Sequence, residues 1–178
     1  MSKYKVQPFD ISSTKTYPLE SRQSKVSLEL FGRPHEKGGT VSEFLKSLPG
    51  ILASQGLKDL AHAIVAARSN GNSIIWGMGG HVIKTGLSPI LIDLMDRGLI
   101  SALAFNGSCL IHDFEIALTG STSEDVELQL QTGAFGMAEE TGRGINQAIR
   151  EGVADGLGIG ESLGRYLADL NPPFGKYS

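Results

Sequence analysis

Two short apolar runs, each closed by a glycine-bearing turn and followed by a helical pattern, constrain the fold of this chain more than any other feature. Ser73-Ile-Ile-Trp-Gly-Met78 leads into Gly77-Met-Gly-Gly-His81, and Leu99-Ile-Ser-Ala-Leu-Ala-Phe105 leads into Asn106-Gly107-Ser108. Continuous apolar runs of this length suit strands covered on both faces. Between them, Ser88-Pro89 supplies an N-cap and a first-turn proline, with helix able to begin as early as Val82. Ile90, Leu91, Leu94 and Met95 then give an apolar stripe that Arg97-Gly98 ends. After the second turn, Cys109 to Leu118 is helical in pattern and Gly120 closes it. Strand, turn and helix thus occur twice, with a connection long enough for the right-handed parallel crossover. The expected class is α/β with a parallel sheet, like the first half of a doubly wound domain. Two strands are few for such a sheet, so it is expected to be incomplete in this chain.

The flanks read differently. Residues 1–39 form an arm with Pro8, Pro18 and Pro34 and one short apolar alternation (Val26, Leu28, Leu30), ordered by packing on a body or a neighbouring subunit. The body spans residues 40–178. Thr40-Val-Ser-Glu43 is a capping box, opening a helix that ends near Pro49-Gly50. Leu57, Leu60, Ala61, Ile64 and Val65 mark a helix over 51–69, stopped by Asn70-Gly71-Asn72. Thr122-Ser-Glu-Asp125 is a further cap signal, and helices are expected over 137–155 and 158–170.

Composition excludes several classes. A formal net charge of -3 lacks the basic excess of a nucleic-acid binder. One cysteine forms no intramolecular disulfide, so a reducing cytoplasm is the expectation. No apolar stretch approaches the ~18 residues of a membrane span, and the polar start MSKYKVQPFD is unlike a signal peptide. Glycine is abundant, with 23 residues scattered through patterned sequence, which points to tight turns and close backbone contacts.

The polar residues with chemical potential gather at the two turns: Gly79, Gly80, His81, Lys84 and Thr85 after the first run, and Asn106, Gly107, Ser108, Cys109, His112 and Asp113 after the second. In a parallel sheet both turns emerge at the carboxyl ends of adjacent strands, where ligands bind. Turn glycines let backbone approach a phosphate, and the following helix offers free N–H groups. Gly77-Met-Gly79-Gly-His-Val82 carries only two of the three fingerprint glycines, and Ile83 spoils a P-loop match at Lys84-Thr85. His81, Cys109 and His112 allow a metal site on paper, and Cys109 with His112 a thiol nucleophile, both without a supporting motif. Glu115, flanked by Phe114 and Ile116, is either a buried acid or the polar side of its helix. The run Glu139-Glu140-Thr-Gly-Arg143 reads as a solvated helix face.

At these same residues the chain resembles the deoxyhypusine synthase family. Ile75-Trp-Gly-Met-Gly-Gly-His-Val-Ile-Lys-Thr-Gly86 through Leu118 runs ungapped beside that family's NAD-binding segment. Thr85-Gly86 meets the Ser-Gly of its first loop, and Asn106-Gly107-Ser108-Cys109 meets its Thr-Ala-Gly-Gly. Ile111-His112-Asp113-Phe114 meets its Glu-Glu-Asp-Phe and is closer to a bacterial branch with an Ile-His-Asp-Phe run. The resemblance implies a Rossmann-like fold, NAD as cofactor and a homotetramer with sites at subunit interfaces. It implies oxidation of spermidine or a related polyamine, with transfer of an aminobutyl group to an acceptor lysine or amine. By matching positions, Gly80, His81 and Lys84 line the cofactor from the first turn, and Asn106, Gly107, Ser108 and His112 from the second. His112 and Ile111 stand where the family has carboxylates, and Gly80 and His81 where it has Ser-Asn. The family's nucleophilic lysine lies in a C-terminal half without counterpart here, so no catalytic residue is assigned. A companion chain carrying that half is the alternative to self-association. Two other readings remain at this stage: a non-catalytic NAD-binding or assembly module, and a metal-dependent hydrolase using His81 and His112.

Overall fold

The computed structural model describes residues 9–178; the first eight residues of the expected arm, Pro8 among them, lie outside the described residues. The chain is mixed α/β and mostly helical, with eight α-helices and a small two-stranded parallel sheet among those residues. It divides by compactness within its second helix, between Ala61 and His62.

None of residues 9–61 is buried. They hold two short 3-10 turns, helix α1 (Val41–Ser47) and the start of α2 (Leu52–Ser69). The capping box that opens α1 forms as its sequence requires: Thr40 Oγ1 accepts from the Glu43 N–H at 3.2 Å, and Glu43 accepts from the Thr40 N–H at 2.6 Å. The end of the arm is tied to the turn after α1 by two backbone bonds, Arg33 N–H to Ser47 O at 2.8 Å and Gly50 N–H to Leu30 O at 2.9 Å.

From His62 onward the order is the rest of α2, β1 (Ile75–Met78), α3 (His81–Lys84), α4 (Ser88–Asp96), β2 (Ala102–Phe105), α5 (Gly107–Thr119), α6 (Val126–Thr132), α7 (Glu139–Ala154) and α8 (Ile159–Leu170). β1 and β2 pair in parallel, Ile75 opposite Ala102 and Met78 opposite Phe105. The helix expected between them is two helices. Gly86 at φ +89° turns the chain after α3, a conformation that favours glycine. Ser88 is the first residue of α4 and not its cap; Leu87 holds that place, and the Ser88 hydroxyl is buried without a partner among the described residues.

The expectation that both strands are covered on both faces is corrected. Trp76, Met78 and Leu103 pack against a cluster of Ile83, Leu91, Ile100 and Cys109. Ile75 (68% exposed), Gly77, Ala102 and Ala104 form an open opposite face. Side chains alternate along a strand, so one layer of helices covers only every second residue. Trp76 is anchored in the covered layer, its indole N–H donating to Leu99 O at 3.2 Å.

α5 is the spine of this unit. Cys109 and Ile116 join the sheet-side cluster, while Phe114, Leu110 and Leu118 join a second cluster with Ala148 and Ile145 of α7 and Leu163, Tyr166 and Leu167 of α8. Leu118 therefore belongs to the helical core and not to the sheet. Glycine allows the close approach: a β-carbon on Gly144 would overlap the Phe114 ring, and one on Gly152 would overlap Ser162. Gly120, at φ +72°, ends α5 where the Phe174 ring lies, and Phe174 N–H reaches back to Ala117 O at 3.1 Å. No helix of the described residues is long and apolar enough to cross a membrane.

Candidate functional site

The parallel register brings the carboxyl ends of β1 and β2 side by side, and each strand runs directly into a glycine turn and a helix start. This juxtaposes the two turns singled out in the sequence. Gly80 is buried in the αR region, so its backbone angles are open to any residue. What it requires is proximity: a β-carbon there would lie 2.5 Å from Ser108 Oγ and 3.1 Å from His112 Cδ2. The space beside Gly80 is thus filled by α5 itself. Gly79 and Gly107 are the open positions, since a β-carbon on either would meet no atom within 4 Å.

The remaining residues divide by location. Asn106 is the N-cap of α5, yet its side chain does not cap the helix; Asn106 Oδ1 accepts from the Ser108 hydroxyl at 2.6 Å. Cys109 N–H donates to Asn106 O at 3.0 Å, while the Gly107 and Ser108 amides have no partner among the described residues and keep the partial positive charge of a helix start. His81 and Lys84 are exposed on α3, and Lys84 makes no ion pair among the described residues. Together the turns form an open edge carrying backbone donors and one free cation, with room at two glycines.

Cys109, one residue further on, is 2% exposed, and burial pushes its thiol up from the ordinary range, with the Asp113 carboxylate adding to the rise. Its sulfur lies 3.9 Å from both Met78 O and Asn106 Oδ1. A thiol held protonated is a poor nucleophile, and its proposed partner His112 is engaged elsewhere. His112 Nδ1 lies 2.8 Å from Thr122 Oγ1, Thr122 Oγ1 donates to Glu115 Oε2 at 2.5 Å, and Thr141 Oγ1 donates to Glu115 Oε1 at 3.1 Å. Glu115 is accordingly the half-buried acid of the two options its sequence context left.

Thr122 and Thr141 were invisible to the sequence reading. Thr122 sits in the Thr-Ser-Glu-Asp run read as a cap, but Asp125 caps α6, accepting from Leu128 N–H at 3.1 Å, and leaves Thr122 free for the network. Thr141 lies inside the run read as a solvated face; Glu139 and Arg143 do pair there in solvent at 2.8 Å, while Thr141 turns inward. A half-buried acid flanked by apolar residues needs hydroxyl or amide donors, and that need is the one signal in the sequence that points to them.

Several clefts border α5, two of them much roomier than the others described. One, of about 620 Å³, is walled by Leu163, Gly164 and Leu167 of α8 and by Phe105, and holds Asp113 and Lys176. Burial pushes the Asp113 carboxyl up, while the Ser178 hydroxyl, donating to it at 2.6 Å, pulls the other way. The other, of about 650 Å³, exposes Glu115, Thr122 and Thr141 beside Glu124 and Glu140. Among the described residues no three His, Cys, Asp or Glu side chains gather as a metal site. No protein-family model matches the chain, and comparison with curated proteins and with solved structures finds no match in either.

Proposed function

We propose that this chain carries the NAD-binding part of a Rossmann-like, deoxyhypusine-synthase-like protein, whose activity is NAD-dependent transfer of a spermidine-derived aminobutyl or related amine group. The observation that carries the reading is the pair of open glycines, Gly79 and Gly107, at the carboxyl ends of two adjacent parallel strands, beside the uncapped start of α5. Anionic groups favour such a helix start, because the Gly107 and Ser108 amides have no partner among the described residues and the helix dipole adds to their attraction. The residues fit a pyrophosphate in kind: α5 amides and Lys84 as donors, Ser108 and Asn106 as polar neighbours, and space at Gly79 and Gly107. The chemistry that NAD supplies when bound is hydride acceptance. In this reading the chain's own residues orient the dinucleotide and balance its charge.

The edge is open, whereas small-molecule sites typically enclose ~70–90% of their ligand. A second surface must therefore close it. A further copy of the chain, as in a homotetramer, or a companion chain bringing the nucleophilic lysine would serve. Of the alternatives, the hydrolase reading lacks a three-donor cluster among the described residues. The binding-module reading shares the NAD site and differs only in chemistry.

Calorimetric titration with NAD tests the site. Saturable binding is expected in the wild type and weakened binding in Gly107→Val, a substitution that meets no protein atom in its first carbon. Gly80→Val is the wrong probe, since it would strike Ser108 and His112 and disturb the packing of α5. NADH absorbance that grows only when spermidine is added separates the transferase from a module that merely binds.

A further inference from the structure

The His112–Thr122–Glu115 chain has a direction. An ionised carboxylate accepts hydrogen bonds and donates none. Glu115 receives Thr122 Oγ1 at 2.5 Å on one oxygen and Thr141 Oγ1 at 3.1 Å on the other. Thr122 has a single hydroxyl proton and spends it on Glu115, so toward His112 Nδ1, 2.8 Å away, it can only accept. The proton between them therefore belongs to the imidazole. This places the hydrogen of neutral His112 on Nδ1 and the lone pair on Nε2.

The unbonded side of the ring lies beside the first turn. His112 Cδ2, the carbon bonded to Nε2, is the atom that a β-carbon on Gly80 would approach to 3.1 Å. Among the described residues Nε2 has no hydrogen-bond partner. A ring fixed at Nδ1 and unpartnered at Nε2, beside two turns with room for a ligand, is arranged to receive a proton.

We infer that His112 Nε2 is the proton-accepting group of the two-turn site, with Thr122 and Glu115 as positioning residues that fix its tautomer, and that it takes a ligand N–H or O–H. Its place at the ligand edge rests on the reading given under Proposed function; its tautomer does not. The step balances simply. A proton leaves the ligand's nitrogen or oxygen for Nε2, the electron pair of the broken bond stays on the ligand, and His112 becomes an imidazolium. Both of its N–H groups then have acceptors, Thr122 Oγ1 and the ligand atom, and Glu115 offsets the new charge through Thr122. The relay orients the ring through the bond that Thr122 Oγ1 makes with Nδ1, and Glu115 fixes the direction of that bond.

The test is nitrogen-15 NMR of the imidazole side chains in the protein without ligand, at a pH of about 8.5, above the usual histidine range. His112 is expected mostly as the Nδ1–H tautomer in the wild type and in Thr122→Ser, which keeps the hydroxyl. In Thr122→Val and Glu115→Gln the population is expected to move mostly to Nε2–H. Unchanged signals from His35, His62 and His81 certify the fold of each variant. A wild-type His112 found as Nε2–H would overturn the inference even if no variant folded, and so would a Thr122→Val variant that keeps the wild-type tautomer. Failure of NAD to bind, with the tautomer as expected, would instead count against the ligand edge alone.

Discussion

Gly152 lies in the last turn of α7, where alanine would ordinarily still be an improvement. Replacing a helical glycine by alanine gains up to about 1 kcal/mol through the reduced entropy of the unfolded chain. Here the added β-carbon would overlap the Oγ and Cβ of Ser162 on α8 and sit 3.0 Å from its Cα. A backbone atom cannot rotate away, and Ser162 is itself buried, its hydroxyl donating to Gly158 O at 2.8 Å. Relief requires the two helices to separate. Overpacking of this kind costs about 3 kcal/mol at the upper end of its usual range, which leaves a net loss of about 2 kcal/mol for Gly152→Ala. For a chain of this size that lowers Tm by roughly 4–8 °C. Gly142 of the same helix is the internal control, because a β-carbon there meets nothing within 4 Å. Gly142→Ala should stabilise by about 0.5–1 kcal/mol. Thermal unfolding followed by far-ultraviolet circular dichroism reads both, and Ser162→Gly should recover part of the loss in Gly152→Ala. A Gly152→Ala protein as stable as Gly142→Ala would refute the close α7–α8 contact and the argument built on it.

Two other outcomes follow from the same structure. Burial raises the Asp113 pKa, so the folded state holds its proton to higher pH than the unfolded state does, and stability declines as pH rises above about 4. Asp113→Asn keeps an acceptor for the Ser178 hydroxyl and removes that decline; its urea midpoint should exceed the wild type's by more at pH 7 than at pH 4, and an equal margin at both would contradict the assignment. The open sheet face, with Ile75 68% exposed, and unpaired strand edges favour association. Sedimentation velocity should show species heavier than a single chain, and a lone monomer at high concentration would count against the proposed closing surface.

The elements were legible where local chemistry decides them. Thr40 with Glu43, Asp125, and Gly120 at φ +72° each mark a helix end by a bond or a backbone angle that few residues provide. The strands were legible because apolar runs end at glycines, but their one-sided burial was not, because Ile75, Ala102 and Ala104 are apolar and exposed and leave no alternation to read. Three N-cap candidates within four residues, Thr122, Ser123 and Asp125, hid the role of Thr122, since each can cap and the fold selects Asp125. Thr141 reaches Glu115 across 26 positions, a distance at which no local pattern operates. The α7–α8 contact does leave a trace: Gly144, Ala148 and Gly152 recur every four residues, a small-residue face that signals close packing. At the carboxyl ends of the strands the two turns are neighbours, as the sequence pattern implies, while which glycines are open and which is filled depends on where α5 lies.

The most direct measurement of the central claim is NAD titration of wild-type protein and of Gly107→Val in parallel, with the melting temperature of each recorded in the same buffer. Saturable wild-type binding is expected, with affinity reduced at least tenfold in Gly107→Val, which corresponds to about 1.4 kcal/mol, and little change in melting temperature, because the added side chain starts in open space. Undiminished NAD affinity in a folded Gly107→Val protein, or a wild-type protein that binds no NAD, would contradict that claim.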